Sequence, residues 1–306
     1  MRWFEDANYP LVSSRKIGYA ISGVLLTVAI LSLTFRGLEL GIDFLGGMEF
    51  IVQTEERLSS VEVRGTLAEP LGGEPEVRSF DGDALLIRTV AEGEISDIQQ
   101  IIMGTLAEVY PNANPTLEGT DVVGPRFAAD LQRGAIYSIL GALLVIFLYI
   151  LIRFEWRFGV GSVAALFHDV IIVLGLFSLL QGIVPFSVQI DQAIIAAFLT
   201  IVGYSLNDTV VVFDRIREFA NLFKTDPYED VVNRSINATL SRTVVTSVTT
   251  LLVVTILFIF GGEVLRGFSF ALMCGVVIGT YSSVFVASPV VVELNLRRIR
   301  AQQGAR

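Results

Sequence analysis

Thiols and imidazoles are nearly missing from this chain of 306 residues, which has one cysteine, Cys274, and one histidine, His168. A lone cysteine excludes an intrachain disulfide and any cysteine-based metal site. A lone histidine excludes zinc motifs that need two, such as H-E-x-x-H. Charged residues are also scarce, at 17%, where an average soluble domain has about 25%. A net charge of −9 gives no footing for nucleic-acid binding. What fills the chain instead is apolar: 53% of residues are hydrophobic and the mean hydropathy is +0.64. That value points to a membrane protein.

The negative charge is local. Residues 36–133 hold 18 acidic and 7 basic side chains, whereas the rest holds 13 and 15. An acidic block inside a near-neutral apolar chain reads as a separate aqueous domain.

A spanning helix needs about 20 mostly apolar residues, because the hydrocarbon core is about 30 Å thick and a helix rises about 1.5 Å per residue. Six stretches qualify: 17–35, 134–152, 158–180, 188–213, 239–260 and 267–292. The first is too long for the apolar region of a signal peptide and lacks a small-x-small cleavage site, so it reads as an uncleaved anchor. Lys and Arg crowd one set of connections: the N-terminus, the turn near Glu155, the loop 214–238 and the C-terminus carry thirteen of them. The opposing short loops carry only Arg266. The expected layout is therefore a cytoplasmic N-terminus at 1–16, a first span at 17–35, and an extracytoplasmic domain at 36–133. A five-span bundle at 134–292 and a cytoplasmic tail at 293–306 follow.

Within 36–133 the pattern alternates. Residues 48–54 read as a strand, 58–71 as a helix, and 76–80 and 84–90 as two strands around Asp81-Gly82-Asp83. Ser96 is expected to cap a helix running to Tyr110, and 116–123 closes the set as a strand. The order β-α-β-β-α-β is ferredoxin-like, an α+β sandwich of two layers. The loop Gly41-Ile42-Asp43-Phe44-Leu45-Gly46-Gly47 lies between the first span and the first strand. It is either a plain exit turn, where glycine permits unusual backbone angles, or a hinge between membrane and domain at Gly41, Gly46 and Gly47.

Ionisable side chains inside a bilayer are costly and turn toward protein or water. His168 and Asp169 fall near the middle of the third span, Asp208 in the fourth, and Arg242 near one end of the fifth. On a helical wheel Thr239, Arg242, Thr243, Thr246, Thr249 and Thr250 share one face. Tyr204, Ser205, Asp208 and Arg215 share a face of the fourth span. Pairing the two faces would gather an acid, an arginine and many hydroxyls. Two readings stay open: Asp208 and Arg242 as a buried ion pair that fixes packing, or as a proton-conducting site whose hydroxyls order water. The latter would include Thr243, Thr246, Thr250, His168 and Asp169 as a supporting polar path. In the sixth span Gly275, Gly279, Ser283 and Ala287 form a small-residue ridge suited to close helix packing.

Several segments together resemble the SecF family of protein-export membrane subunits, within the resistance-nodulation-division-like superfamily. They are the glycine loop at 41–47, His168-Asp169, the run from Gly203 through Asn207-Asp208-Thr209 to Glu218, and Ser241-Arg242-Thr243 through Ser247. Gly261-Gly262 and 279–283 add to these. The resemblance covers nearly the whole chain. Leu45 departs from it, since the family commonly has threonine there. The resemblance implies a six-span α-helical bundle, one half of a superfamily-type transporter, with a small external domain between spans 1 and 2. It implies pairing with SecD, association with a SecY-type channel in the bacterial inner membrane, and contact with translocating preprotein and membrane lipids. It implies no cofactor and use of protons as the coupling ion, with Asp208 and Arg242 at the family's proton-transport positions. The short length looks like a stand-alone subunit rather than a fusion. Two rivals are weighed: half of a small-molecule or lipid exporter, for which the external domain is small, and an intramembrane aspartyl protease using Asp169 and Asp208. The protease lacks its Gly-x-Gly-Asp motif, since the chain reads Ser205-Leu206-Asn207-Asp208.

Overall fold

Long apolar runs fold as helices because a helix satisfies its backbone hydrogen bonds within the segment, which lipid requires. In the computed structural model, which describes residues 7–80, 82–184 and 186–304, the runs form α1 (Arg15–Phe35), α5 (Pro125–Arg153), α6 (Trp156–Leu180), α7 (Gln192–Leu222) and α8 (Tyr228–Phe260). The sixth run is α9 (Gly262–Ser282), a π-helical turn (Ser283–Ala287) and α10 (Ser288–Gly304). Six helices are thus long and apolar enough to cross a membrane, and the chain is a multi-pass membrane protein. Several run past the apolar stretches. α5 starts at Pro125 and α8 at Tyr228, because a helix continues into the polar region until a proline or loop stops it.

Clustering of contacts divides the chain into two units. One holds the residues up to Leu38, Ser138–Leu180 and those from Ala193 onward; the other holds Glu39–Tyr137 and Gln181–Gln192. In the first, small residues set the helix spacing. A Cβ on Gly175 would lie 2.2 Å from Cβ of Ala29, so α6 and α1 touch along their backbones. Ser32 Oγ donates to Ser178 Oγ at 2.9 Å across the same contact. The ridge on α9 packs against α7: added Cβ atoms at Gly275 and Gly279 would meet Ile201 at 2.3 Å and Ser205 at 3.0 Å. Beyond the π turn a cluster of Phe154, Phe158, Phe213, Val284, Ala287 and Val291 closes the core.

The second unit contains β1 (Gly47–Gln53), α3 (Ser60–Ala68), β2 (Glu76–Phe80), β3 (Ala84–Thr89), α4 (Ile95–Val109) and β4 (Thr116–Val123). A single turn, α2 (Ile42–Leu45), precedes β1. The sheet is antiparallel in the order β2-β3-β1-β4, as expected of a ferredoxin-like domain. Phe50, Val52, Leu85 and Ile87 face Val63, Leu67, Ile98, Ile102 and Leu106 of the two helices in one core. Ser96 does not cap α4. The cap position is Glu94, without a side-chain bond, and Ser96 Oγ points to Asp97 at 3.5 Å. Asp81 lies outside the described residues, and its neighbour Gly82 has φ of +66°.

β3 is buried along its whole length. Its Arg88 meets Gln189 of a connection that hydropathy assigned partly to a span. Val188 and Ile190 alternate with polar neighbours, and the segment is extended rather than helical. Leu40 and Ile190 form a parallel bridge. Gly41 N–H donates to Ile190 O at 2.8 Å and Ile190 N–H to Glu39 O at 2.7 Å. Gln189 is 6% exposed. Its amide nitrogen donates to Glu39 Oε1 at 2.5 Å, and its oxygen accepts from Arg88 Nη2 at 2.6 Å. Across the strands Arg88 stands opposite both Glu49 and Glu76, with contacts of 2.7 and 3.2 Å.

Candidate functional site

The spanning unit brings polar side chains of five helical elements into one region around two carboxylates. Asp208, on α7, is half-buried. Thr243 Oγ1 of α8 donates to its Oδ1 at 2.7 Å, and Ser283 Oγ of the π turn donates to its Oδ2 at 2.8 Å. Asp169, on α6, is 1% exposed. Its Oδ1 lies 2.8 Å from His168 Nδ1, and its Oδ2 accepts from Ser205 Oγ at 2.5 Å and Ser282 Oγ at 2.7 Å. Consecutive serines of one helix thus hold two different acids, and Ser205 is one helical turn from Asp208.

His168 extends the cluster to α1. Its Nε2 lies 3.1 Å from Ser22 Oγ, which lies 3.1 Å from Tyr281 Oη, and that phenol donates to Gly18 O at 2.7 Å. The His168 and Tyr281 rings stack with centroids 6.0 Å apart. A second hydroxyl chain, Tyr204 to Ser247 to Thr280, joins α7, α8 and α9 at 3.2 and 2.6 Å.

Of the site residues read from the sequence, the structure gathers Asp208, Thr243, His168 and Asp169. It does not gather the rest of the threonine stripe. Thr246 and Thr250 bond to carbonyls of their own helix, Arg242 O and Thr246 O. Arg242 is exposed on the chain's surface. Among the described residues it forms no ion pair or hydrogen bond through its guanidinium, with Asp208 or otherwise. Gly41, Gly46 and Gly47 lie in the segment bonded to residues 189–192. Gly47, at φ +124°, has no room for a side chain, since a Cβ would sit 2.8 Å from Thr89 O. Asp43, beside them, accepts from Gln192 N–H at 2.9 Å. Ser205, Ser282 and Ser283 were missed as ligands of the acids, and Ser22 and Tyr281 as the partners beyond His168. A hydroxyl in a span reads equally well as packing, and the pair Ser282-Ser283 was the available signal.

Two carboxylates inside an apolar bundle, each held by hydroxyls from other helices, suit reversible handling of a small cation or proton. No group of three or more potential metal ligands occurs among the described residues. Comparison with known proteins gives the class. The description "Protein export membrane protein SecD/SecF, C-terminal" matches residues 103–297, and "SecD/SecF GG Motif" matches 31–56. Six spans, a small antiparallel domain after the first, and these two matches define a protein-export membrane protein of the SecD/SecF type. A "Protein translocase subunit SecF" from Rhodothermus marinus is 66% identical over 97% of this chain and 96% of its own length. Another, from Haemophilus influenzae, is 39% identical over 93% of this chain and 85% of its own length. The chain belongs to the SecF family of protein translocase subunits. The crystal structure of SecDF from Thermus thermophilus, a translocon-associated membrane protein, matches with a TM-score of 0.85 and 35% identity. The match covers 96% of this chain and 40% of that longer one. A super-membrane-facing form of SecDF matches with a TM-score of 0.72.

Proposed function

We propose that this SecF-family chain couples the proton gradient to late steps of preprotein export, with Asp208 as the proton carrier. The observation that carries the proposal is the double grip on Asp208: Thr243 of α8 and Ser283 of the π turn each donate to one of its oxygens. Protonating the carboxyl removes an acceptor and adds a donor. The change therefore acts on the contacts among three helical elements at once. Arg242 stays charged at any working pH. It is the fixed cation that favours release of the proton when it approaches. Thr243, His168 and Asp169 extend the polar path.

In this reading the chain sits in the bacterial inner membrane with both termini cytoplasmic and the sheet domain outside. It works with SecD, next to a SecY-type channel, in contact with preprotein and lipid. No cofactor takes part, and the coupling ion is the proton. The role is accessory rather than catalytic. Asp169 and Asp208 accept from different hydroxyls and share no hydrogen-bond partner, unlike the facing acids of an aspartyl protease.

The test is gradient-dependent export in membrane vesicles containing the whole complex. Asp208→Asn keeps the shape and removes titration, so assembly should persist while the gradient-dependent part of export disappears. Arg242→Lys keeps charge but loses the planar donor fork and should be partly defective. If the acid and the arginine serve packing alone, Asp208→Asn with Arg242→Gln should recover much of the activity, since no unpaired charge remains. Recovery in that double variant would falsify the proton-carrier role.

A further inference from the structure

We infer that His168 and Asp169 form a second proton-binding site, which holds one proton between imidazole and carboxyl at neutral pH. It deepens the reading of Asp208 as a proton carrier, from which it can be tested apart.

Gly18 O is a carbonyl and only accepts, so Tyr281 spends its one hydroxyl hydrogen there, at 2.7 Å. Tyr281 is then an acceptor toward Ser22 Oγ, and the Ser22 hydrogen is used in that bond. Ser22 Oγ in turn accepts from His168, so Nε2 must carry a hydrogen. Nδ1 and Asp169 Oδ1 are 2.8 Å apart and need a proton between them. It resides either on Nδ1, giving imidazolium and carboxylate, or on the carboxyl, giving two neutral groups. In both cases the pair has zero net charge. The alternative, a bare Nε2 and an Nδ1–H donating to a carboxylate, leaves one negative charge on residues 3% and 1% exposed. It also leaves one of the hydroxyl contacts without a hydrogen. An uncompensated charge in such a setting is the costlier arrangement.

The surroundings fit a site on a proton route. Tyr281 on α9 is the titratable group in contact with the pair, and α1 presents Ser22 to it. α7 contributes Ser205 and, one turn on, Asp208. Asp169 Oδ2 is reached by Ser282, whose neighbour Ser283 reaches Asp208. The two acids are thus held by neighbouring serines of one helix. The far end of the hydroxyl chain is the carbonyl of Gly18 in the first turn of α1.

The single histidine makes the test direct. The full-length chain, purified without a histidine tag and labelled with nitrogen-15 histidine, gives one imidazole in lipid bilayers. At pH 7 its Nε2 should carry a proton, with Nδ1 either protonated or in a strong hydrogen bond. A bare Nε2 with the proton on Nδ1 alone overturns the inference, and this arm needs no substitution. Tyr281→Phe frees the Ser22 hydroxyl to turn toward Nε2, so the Nε2 proton should be lost in most molecules. An unchanged Nε2–H in that variant overturns the claim that the hydroxyl chain imposes it. Asp208→Asn should leave the His168 signal in place while gradient-dependent export is lost. Failure of either reading is thus visible without failure of the other.

Discussion

Replacing Gln189 with leucine nearly conserves side-chain volume and deletes both arms of the amide. The wild-type side chain is almost fully buried and bonds three charged groups, Arg88 at 2.6 Å, Glu39 at 2.5 Å and, at the longer distance of 3.3 Å, Glu76. A hydrogen bond to a charged group contributes about 1.5–3 kcal/mol. Arg88 keeps Glu49 and Glu76, and Glu39 keeps Arg78, so neither is stranded. The loss therefore belongs at the lower end, about 3 kcal/mol for the two shorter bonds together. It falls on the local docking of residues 181–192 rather than on the sheet, whose core faces the helices. The assay is amide hydrogen exchange of the whole protein in detergent or lipid, read at Gly41 and Ile190, whose N–H groups form the backbone bridge. Where exchange follows local opening, about 3 kcal/mol accelerates it about 150-fold, and β3 amides should change much less. Exchange at Gly41 and Ile190 within about threefold of wild type, on the same estimate, would refute the view that Gln189 holds the segment.

Gly47→Ala places a Cβ 2.8 Å from Thr89 O at φ +124°. The strain should cost about 1–3 kcal/mol and appear as faster exchange along β1 and β4. Topology is checked by single cysteines in a Cys274→Ser background. Ser79 and Thr225 are both exposed, and a cysteine at 79 should react with an impermeant thiol reagent added to intact cells while one at 225 should not. The reverse pattern overturns the orientation.

The spans were legible because hydropathy over 20 residues is a strong signal, and the sheet because Glu76–Phe80 and Thr116–Val123 are bounded by turn residues. The segment 188–191 was misplaced in the fourth span for an equally physical reason. Val188 and Ile190 are as apolar as a span requires, and nothing local says that Ile190 pairs with the backbone of residues 39–41. Asp208, Asp169 and His168 stood out as ionisable groups in apolar helices. Their serine ligands did not, since a hydroxyl becomes a ligand only once a helix from elsewhere in the chain presents an acid to it. Thr246 and Thr250 show the converse. They share a wheel face with Thr243, yet their hydroxyls return to their own backbone, a satisfaction that periodicity cannot distinguish from an outward bond.

The π turn explains how one helix serves both acids and the core behind them. Adjacent side chains on a helix point about 100° apart, so Ser282 and Ser283 reach acids on two different neighbours, α6 and α7. A regular α-helix would carry the following residues on in the same phase. Between Ser283 and Ala287 the turn takes one residue more. Ser283 O accepts both the backbone N–H of Ser288 and its Oγ, the latter at 2.7 Å. The extra residue shifts the phase of everything beyond it, and Ala287, Val291 and Val292 fall into the cluster with Phe154, Phe158 and Phe213. π turns interrupt α-helices frequently at functional sites, and here the interruption has a definite consequence. Ser283 supplies its hydroxyl to Asp208 and its carbonyl to the widened turn. A change at the carboxyl is therefore felt at the point where this helix departs from regular α geometry.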